Sequence, residues 1–316
     1  MSVKEYDEIH VIKKTAVVKG FRWRHKEQIT AWFFTTPALV LLLLFLVLPF
    51  LVAVYFSFTN QRLLPGPLPV KFVGLSNYVQ LLQDNVFQRA LLNNFVFALV
   101  VVPVQTSLAL TLALLVNQNI PGTKIFRTIY FSPVMTTLVV IAIVWSFLYN
   151  PGQGLINAFL YTISFGRLGP YQWLASPLLA LPALMLLSIW QGVGYQMVIY
   201  LAGLQGISET LYEAAHIDGA GAWKCFFNVT LPQLRNTTIF VVVTTTILAF
   251  KLYTQVAVMT QGGPEDATMT MVFYTVTQGF NILQLGYASA ISVIFFLIIL
   301  VISILLRFVI REERAI

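Results

Sequence analysis

From Ala38 to Val54 the chain carries no charged residue and is mostly Leu, Val and Phe. A helix rises 1.5 Å per residue, so a run extended over 31–58 crosses the roughly 30 Å of hydrocarbon in a bilayer. Five further apolar runs of that order follow, at 94–116, 129–149, 178–204, 236–258 and 286–309. The third and fourth are less uniform, interrupted by Pro133, Pro177, Pro182, Gly192 and Gly194. Such breakers are tolerated where neighbouring helices or a polar cavity satisfy the freed backbone groups. A re-entrant or interfacial segment over 155–165 is an alternative reading of the chain between the third and fourth runs. Only 10% of residues are charged and 58% are hydrophobic, against about 25% charged in soluble domains. The pattern predicts an all-α integral membrane protein with six transmembrane helices.

Charge placement gives an orientation. With the N-terminus inside, the cytoplasmic segments (the N-tail of 1–30, 117–128, 205–235 and a C-tail reaching 311–316) hold fourteen Lys and Arg, and the outer loops hold four. The bias puts both termini in the cytoplasm and agrees with an even number of spans. Lys4, Lys13, Lys14, Lys19, Arg22, Arg24 and Lys26 make the N-tail basic, which reads as a topology signal near anionic lipid. Trp23 and Trp32 fit interfacial anchors. The net charge of +7 is therefore spent on topology, and no nucleic-acid partner is expected. The first thirty residues are polar and basic, with no apolar core ahead of a small-residue cleavage site, so no cleavable signal peptide is expected. A single cysteine, Cys225, excludes an intrachain disulfide and a cysteine-rich metal site.

The 31 residues of 205–235 are too long and too apolar for a plain connection. Ser208 in front of Glu209–His216 reads as an N-cap followed by a short helix with acidic residues in its first turns. Gly219 and Gly221 interrupt it. A second short helix from about Ala222 to Val229 carries Trp223, Phe226 and Phe227, and Pro232 marks entry to the next span. Two short helices joined by a glycine bend make a knob suited to a groove on another protein.

Within that knob, Glu213-Ala214-Ala215, Asp218-Gly219-Ala220 and Leu231-Pro232 resemble the EAA loop of ABC-importer permeases. Phe72-Val73-Gly74-Leu75-Ser76-Asn77-Tyr78 is similar to the outer-loop signature of the carbohydrate-type permeases. It is followed by Asn93-Asn94 opening the second helix. Thr260-Gln261-Gly262-Gly263-Pro264 is similar to their motif after the fifth helix. The resemblance runs from about residue 31 and is strongest to the first of the two permeases in maltose-type and glycerol-phosphate-type importers. Ser76 departs from the family, which often has Asp there, and the N-tail has no clear counterpart. The resemblance implies a type I importer permease that pairs with a second permease. It implies that the EAA loop inserts into a cytoplasmic ATPase dimer and that an extracytoplasmic solute-binding protein delivers substrate. ATP and Mg would be bound by the partner ATPase and no cofactor by this subunit, in keeping with the lack of a Gly-x-x-x-x-Gly-Lys-Ser/Thr motif. The setting it implies is the bacterial plasma (inner) membrane.

Residue by residue, Glu213, with Ala214 and Ala215, is the foremost candidate for coupling to the ATPase; the alternative is a solvated helix-end charge. Gly219 supplies a bend that a Cβ would obstruct, or is an ordinary helix C-cap, and the two are compatible. Asp218 either caps the following helix or pairs with the ATPase. Trp223, Phe226 and Phe227 either dock or pack back on the permease. For the pathway, Ser188, Gln191 and Tyr195 stand at i, i+3 and i+7 on one face of the fourth helix; interhelical hydrogen bonding is the alternative. Lys251, with Tyr253, Thr254 and Gln255 nearby, is the only formal charge buried in a span, Arg307 being counted with the C-tail. It snorkels to the interface, faces the pathway, or, as the resemblance implies, plays a structural part in the subunit interface. One lysine leans towards a neutral sugar or polyol as substrate. Two other classes fare worse. A membrane enzyme needs clustered nucleophiles, bases or ligands at depth, and an ion-coupled carrier commonly uses buried carboxylates; the runs contain no His, Asp, Glu or Cys.

Overall fold

The structure, a computed structural model, describes residues 28, 30–64, 69–118 and 122–309. The basic N-tail up to Lys26 and the C-tail 311–316, with the charges on which the expected orientation partly rests, lie outside the described residues. Two units are distinguished, Met1–Tyr55 and Phe56–Ile316.

The first unit is described from its one long helix, α1, whose apolar span runs Thr30–Ser57. Helix α1 is helical over these residues, as the uninterrupted apolar run predicts, and includes a π-helical stretch at Leu43–Val47 that was not expected from the sequence.

The second unit is helical. Its elements are α2 (Ser76–Gln83), α3 (Asn85–Val116), α4 (Thr123–Met135), α5 (Leu138–Leu148), α6 (Leu155–Ile163), α7 (Ala180–Gln205), α8 (Glu209–Ile217), α9 (Ala222–Cys225), α10 (Leu231–Gln233), α11 (Arg235–Phe250), α12 (Thr254–Met259), α13 (Met271–Val276) and α14 (Leu285–Val309). A π-helical stretch, Phe226–Thr230, makes α9 and α10 continuous. The six expected spans are recovered as five long helices and one bent pair.

Three boundaries differ from expectation, each for a physical reason. The second span begins at Asn85 rather than 94. The Asp84 carboxylate accepts the backbone N–H groups of Val86 (2.8 Å) and Phe87 (3.2 Å), so an N-cap starts the helix well before the apolar run. The third run, expected as one helix over 129–149, is α4 and α5 meeting at a bend of 99°. Pro133 removes a backbone donor in the last turn of α4, and Thr136 and Thr137 are extended. The fifth run breaks at Lys251 and resumes as α12. The segment 155–165 holds a separate short helix, α6, in line with the alternative reading of that stretch.

α3 and α7 pack along each other, with α11 and α4 against them and α14 against α11. Small residues set the closeness: Ala109 and Ala113 of α3 are fully buried. A Cβ on Gly194 of α7 would collide with the Tyr130 carbonyl of α4. One core joins Phe97, Leu184, Phe250, Met271 and Ile291; another joins Ala113, Met197, Tyr200, Leu234 and Val241. Outside these cores the long helices show Leu, Val and Phe to their surroundings, as in Leu99 and Phe147. That arrangement is unfavourable in water and natural in lipid.

Candidate functional site

A cavity of about 220 Å³ opens where the fifth span breaks. Ser188, Gln191 and Gly192 of α7 line it, with Lys251, Tyr253, Thr254 and Gln255 of the break and Gln105 of α3. Four of the five residues expected to share a pathway therefore meet: Ser188, Gln191, Lys251 and Gln255. Tyr195 does not. It lies outside the cavity, exposed, because seven residues carry it about 10 Å along the α7 axis from Ser188, past the level of the break. The Gln255 Nε2 donates to Ser188 Oγ at 3.2 Å, while that hydroxyl donates to the Leu184 carbonyl at 2.8 Å. Gln105 was missed from sequence, although a glutamine in the middle of an apolar span was the signal. A Cβ on Gly192 would collide with its side-chain amide, so the glycine lets Gln105 lie against α7. Lys251 brings the lining's formal charge among the described residues; the rest is amide, hydroxyl, one phenol ring and apolar wall.

A broken span leaves carbonyls and N–H groups without helical partners, and two asparagines supply them. Asn94 donates from Nδ2 to the Phe250 carbonyl (3.0 Å) and accepts at Oδ1 from the Met271 N–H (2.8 Å). Asn93 donates to the carbonyls of Asp266 (2.8 Å) and Met269 (2.9 Å). Thr270 Oγ1 donates to the Leu252 carbonyl at 2.9 Å. Against the Thr260–Pro264 stretch, Thr268 Oγ1 donates to the Gly263 carbonyl (2.6 Å) and lies 2.7 Å from Thr260 Oγ1. Asn93 and Asn94 thus do not open α3, as expected, but sit inside it and staple the break.

A similar closure holds the stretch around Asn77. Its Nδ2 donates to the carbonyls of Ser57 (2.8 Å) and Thr59 (3.0 Å), and Ser57 Oγ and Tyr78 Oη share a 2.6 Å hydrogen bond. Gly74 takes the left-handed φ of +58° that turns the chain into α2. Asp84 accepts from Tyr274 Oη and Tyr287 Oη, besides capping α3. Burial raises the Asp84 carboxyl, but the hydrogen bonds from the two tyrosines and the Phe87 and Val86 N–H groups outweigh it. The net result lies below the usual carboxylate value. Burial, and the same carboxylate, push the Tyr274 phenol up.

The 205–235 loop is built the opposite way. α8 ends in a Schellman closure: the Ala220 N–H reaches the Ala215 carbonyl (2.9 Å) and the Gly219 N–H the His216 carbonyl (3.0 Å). Gly219 stands at φ +74° with open space around it, so backbone conformation rather than crowding requires the glycine. Ser208 occupies the N-cap position, but its Oγ pairs with Thr210 Oγ1 instead of a backbone N–H. Asp218 is the C-cap of α8. The cap of α9 is Gly221, so the capping alternative for Asp218 is not realised. Tyr212 Oη and Thr230 Oγ1 lie 3.0 Å apart and tie the two helices together. Outward from this frame stand Glu213, Ala214, Asp218 and a stacked pair, Trp223 and Phe227, with ring centroids 6.1 Å apart; Trp223 is 77% exposed. Ala215 and Phe226 are half-buried, Phe226 edge-on to Phe227. The even choice between docking and self-packing is thus divided among the aromatics: Phe226 packs inward, Trp223 and Phe227 do not.

Residues 27–314 match the family model described as the binding-protein-dependent transport system inner membrane component. The chain belongs to this family. The permease is 34% identical over 284 residues to the probable ABC transporter permease protein YurN of Bacillus subtilis (strain 168), covering 89% of this chain and 96% of the relative. It is 33% identical to the lactose transport system permease protein LacF of Rhizobium radiobacter, covering 90% and 95%. It is also 33% identical to the sn-glycerol-3-phosphate transport system permease protein UgpA of Yersinia pestis, covering 88% and 93%. Among solved structures, a bacterial ABC transporter involved in import of the acidic polysaccharide alginate has a chain that superposes with a TM-score of 0.77. The identity is 22%, covering 92% of the permease and 97% of that chain. The fold is that of ABC importer permeases. Family membership and apolar helices make this a multi-pass membrane subunit of a binding-protein-dependent transport system.

Proposed function

We propose that this permease forms half of the translocation pathway of an ABC importer for a sugar, glycoside, polyol or related solute. A second permease supplies the other half. A cytoplasmic ATPase dimer binds ATP and Mg and drives transport through the 205–235 loop, so that hydrolysis is a partner's activity. Both termini and that loop lie on the cytoplasmic side, and a solute-binding protein delivers substrate at the opposite face. The observation that carries the reading is the knob itself: a frame closed on its own hydrogen bonds that leaves Glu213, Trp223 and Phe227 facing outward. A large aromatic exposed on a rigid element is a hot-spot anchor waiting for a pocket.

The cavity supports the substrate class. Amides of Gln105, Gln191 and Gln255, the Ser188 hydroxyl and the Tyr253 ring offer neutral donors, acceptors and a stacking face, which polyhydroxylated solutes need. Relatives named for lactose and for sn-glycerol-3-phosphate transport point the same way. The test is ATP hydrolysis by the reconstituted complex with binding protein and a panel of sugars and polyols. One ligand should stimulate hydrolysis, and Glu213→Lys or Gly219→Pro should abolish the stimulation. Stimulation that survives both substitutions would remove the loop from coupling.

A further inference from the structure

Helix α6 is inverted with respect to water. Asn157, with its full amide, is turned inward and 5% exposed. It donates to the carbonyls of Pro151 (3.3 Å) and Tyr171 (2.9 Å) and accepts from the Tyr171 N–H (3.2 Å) and Trp173 Nε1 (2.9 Å). Outward stand Leu155, Phe159 and Ile163, at i, i+4 and i+8 on one stripe, 68%, 65% and 60% exposed. Phe165, beyond the helix end, is 94% exposed. Hiding the amide while presenting the hydrocarbon is unfavourable in water, in proportion to the apolar surface left exposed. The stripe needs an apolar cover.

The position of the helix says which cover. The Asn150 side chain accepts the N–H groups of Gly152 (2.9 Å) and Gln153 (3.0 Å), and its carbonyl accepts that of Gly154 (2.9 Å), so α6 starts right after α5 ends. A Cβ on Gly154 would collide with the carbonyls of Leu148 and Asn150. Tyr149 Oη donates to the Ala183 carbonyl in the first turn of α7 (2.9 Å), and the Trp173 ring lies 5.7 Å from the Tyr149 ring. The helix is thereby pinned at the shared ends of two spans, where hydrocarbon gives way to headgroups. The span leading to it ends with Phe147, 71% exposed, so the lipid-facing surface of α5 reaches the point where α6 begins. Tyr161, on the flank of the stripe, and Arg167, just after it, are both exposed; these residue types settle at the headgroup level.

We propose that α6 is an interfacial helix whose apolar stripe is covered by the lipid of the leaflet at the ends of α5 and α7. Its partner is the bilayer surface, into which such helices sink about 5–10 Å. That this leaflet is the outer one rests on the orientation proposed above; the lipid cover does not.

The test uses the full chain with Cys225→Ser, spin-labelled singly at Leu155→Cys, Phe159→Cys or Ile163→Cys. It is reconstituted together with the second permease, the ATPase and the binding protein in vesicles of phosphatidylethanolamine and phosphatidylglycerol. Collisions with oxygen, which partitions into lipid, should exceed those with a water-soluble nickel chelate several-fold at all three positions. A label at Gly152→Cys, in the exposed turn, should show the reverse. Nickel collisions exceeding oxygen collisions on the stripe would place it in water. Protection from both reagents would place it under protein, whether a second copy, another permease or the binding protein; either result overturns the proposal. Phe159→Trp, read by quenching with brominated lipid against the unsubstituted chain, answers the same question without a label: added quenching supports lipid cover and its absence overturns it. ATP-driven uptake measured on the same vesicles reports separately on the transport reading.

Discussion

Two signature-bearing stretches flank α11 and are built in opposite senses. Along the stretch from Phe250 to Met271, backbone groups left without helical partners are met by side chains, mostly from α3: Asn94 bonds Phe250 and Met271, Asn93 bonds Asp266 and Met269, and Thr270 bonds Leu252. In the stretch 205–235 the frame satisfies itself, and Glu213, Trp223 and Phe227 are left facing out. The first makes a polar break tolerable at membrane depth, where an unpaired carbonyl has no water to turn to. The second keeps a surface rigid for something else to hold. A shared motif in sequence therefore does not tell scaffold from contact; burial and hydrogen-bond closure do.

The sharpest way to break that comparison is to substitute on both sides and ask what is lost. Asn94→Leu strips partners from the Phe250 carbonyl and the Met271 N–H, both in the core. Two buried groups left unpaired cost about 1–3 kcal/mol each. The variant should lose several degrees or more of thermal midpoint in lipid nanodiscs, with transport falling in step. Trp223→Ala should leave the midpoint within about 0.5 kcal/mol of the parent, as exposed substitutions do, yet weaken assembly with the ATPase by tenfold or more, about 1.4 kcal/mol, as loss of an anchor does. If Trp223→Ala unfolds the chain, or Asn94→Leu impairs only coupling, the contrast fails.

Smaller effects sharpen it. Gly192→Ala pushes a methyl into the Gln105 amide, which sits on a movable side chain. The cost should stay near 1 kcal/mol, the low end of overpacking, while transport drops because the cavity wall shifts; paired thermal melts and uptake assays separate the two. The least effect concerns pH. Asp84 is held below the usual carboxylate value, so its contribution is present above the unfolded value near 4 and is lost as pH falls through the lower folded value. Melts of the parent and Asp84→Asn should differ at neutral pH and converge only in strong acid. Lines that stay apart there would remove the carboxylate from the lock with Tyr274 and Tyr287.

Much of this was legible in the sequence, because two signals dominate. Apolar length fixed the spans within a few residues where the run was uniform, as in α1 and α14. An ordered string of Glu213-Ala214-Ala215, Asp218-Gly219-Ala220 and Leu231-Pro232 located the knob. What escaped was set by single polar groups acting over distance. Asp84 begins α3 where composition is still mixed, and hydropathy does not see a cap. Thr136 and Thr137 are as apolar-tolerant as their neighbours, so the 99° bend after Pro133 does not register as a gap. Tyr195 shares an angular face with Ser188, yet its depth along α7 is decided by where α11 breaks. Gln105 was passed over because a neutral amide in a span usually bonds a neighbouring helix; only Gly192 opposite it shows why it reaches the cavity.

The central claim is that the outward face of the 205–235 knob meets the ATPase. A photo-reactive benzoylphenylalanine at Trp223, in the chain assembled with its second permease and ATPase, tests it directly. On illumination the account predicts an adduct with the ATPase subunit, absent when the same group replaces half-buried Tyr253 in the cavity. Adducts only within the chain, or only with the second permease, would contradict it.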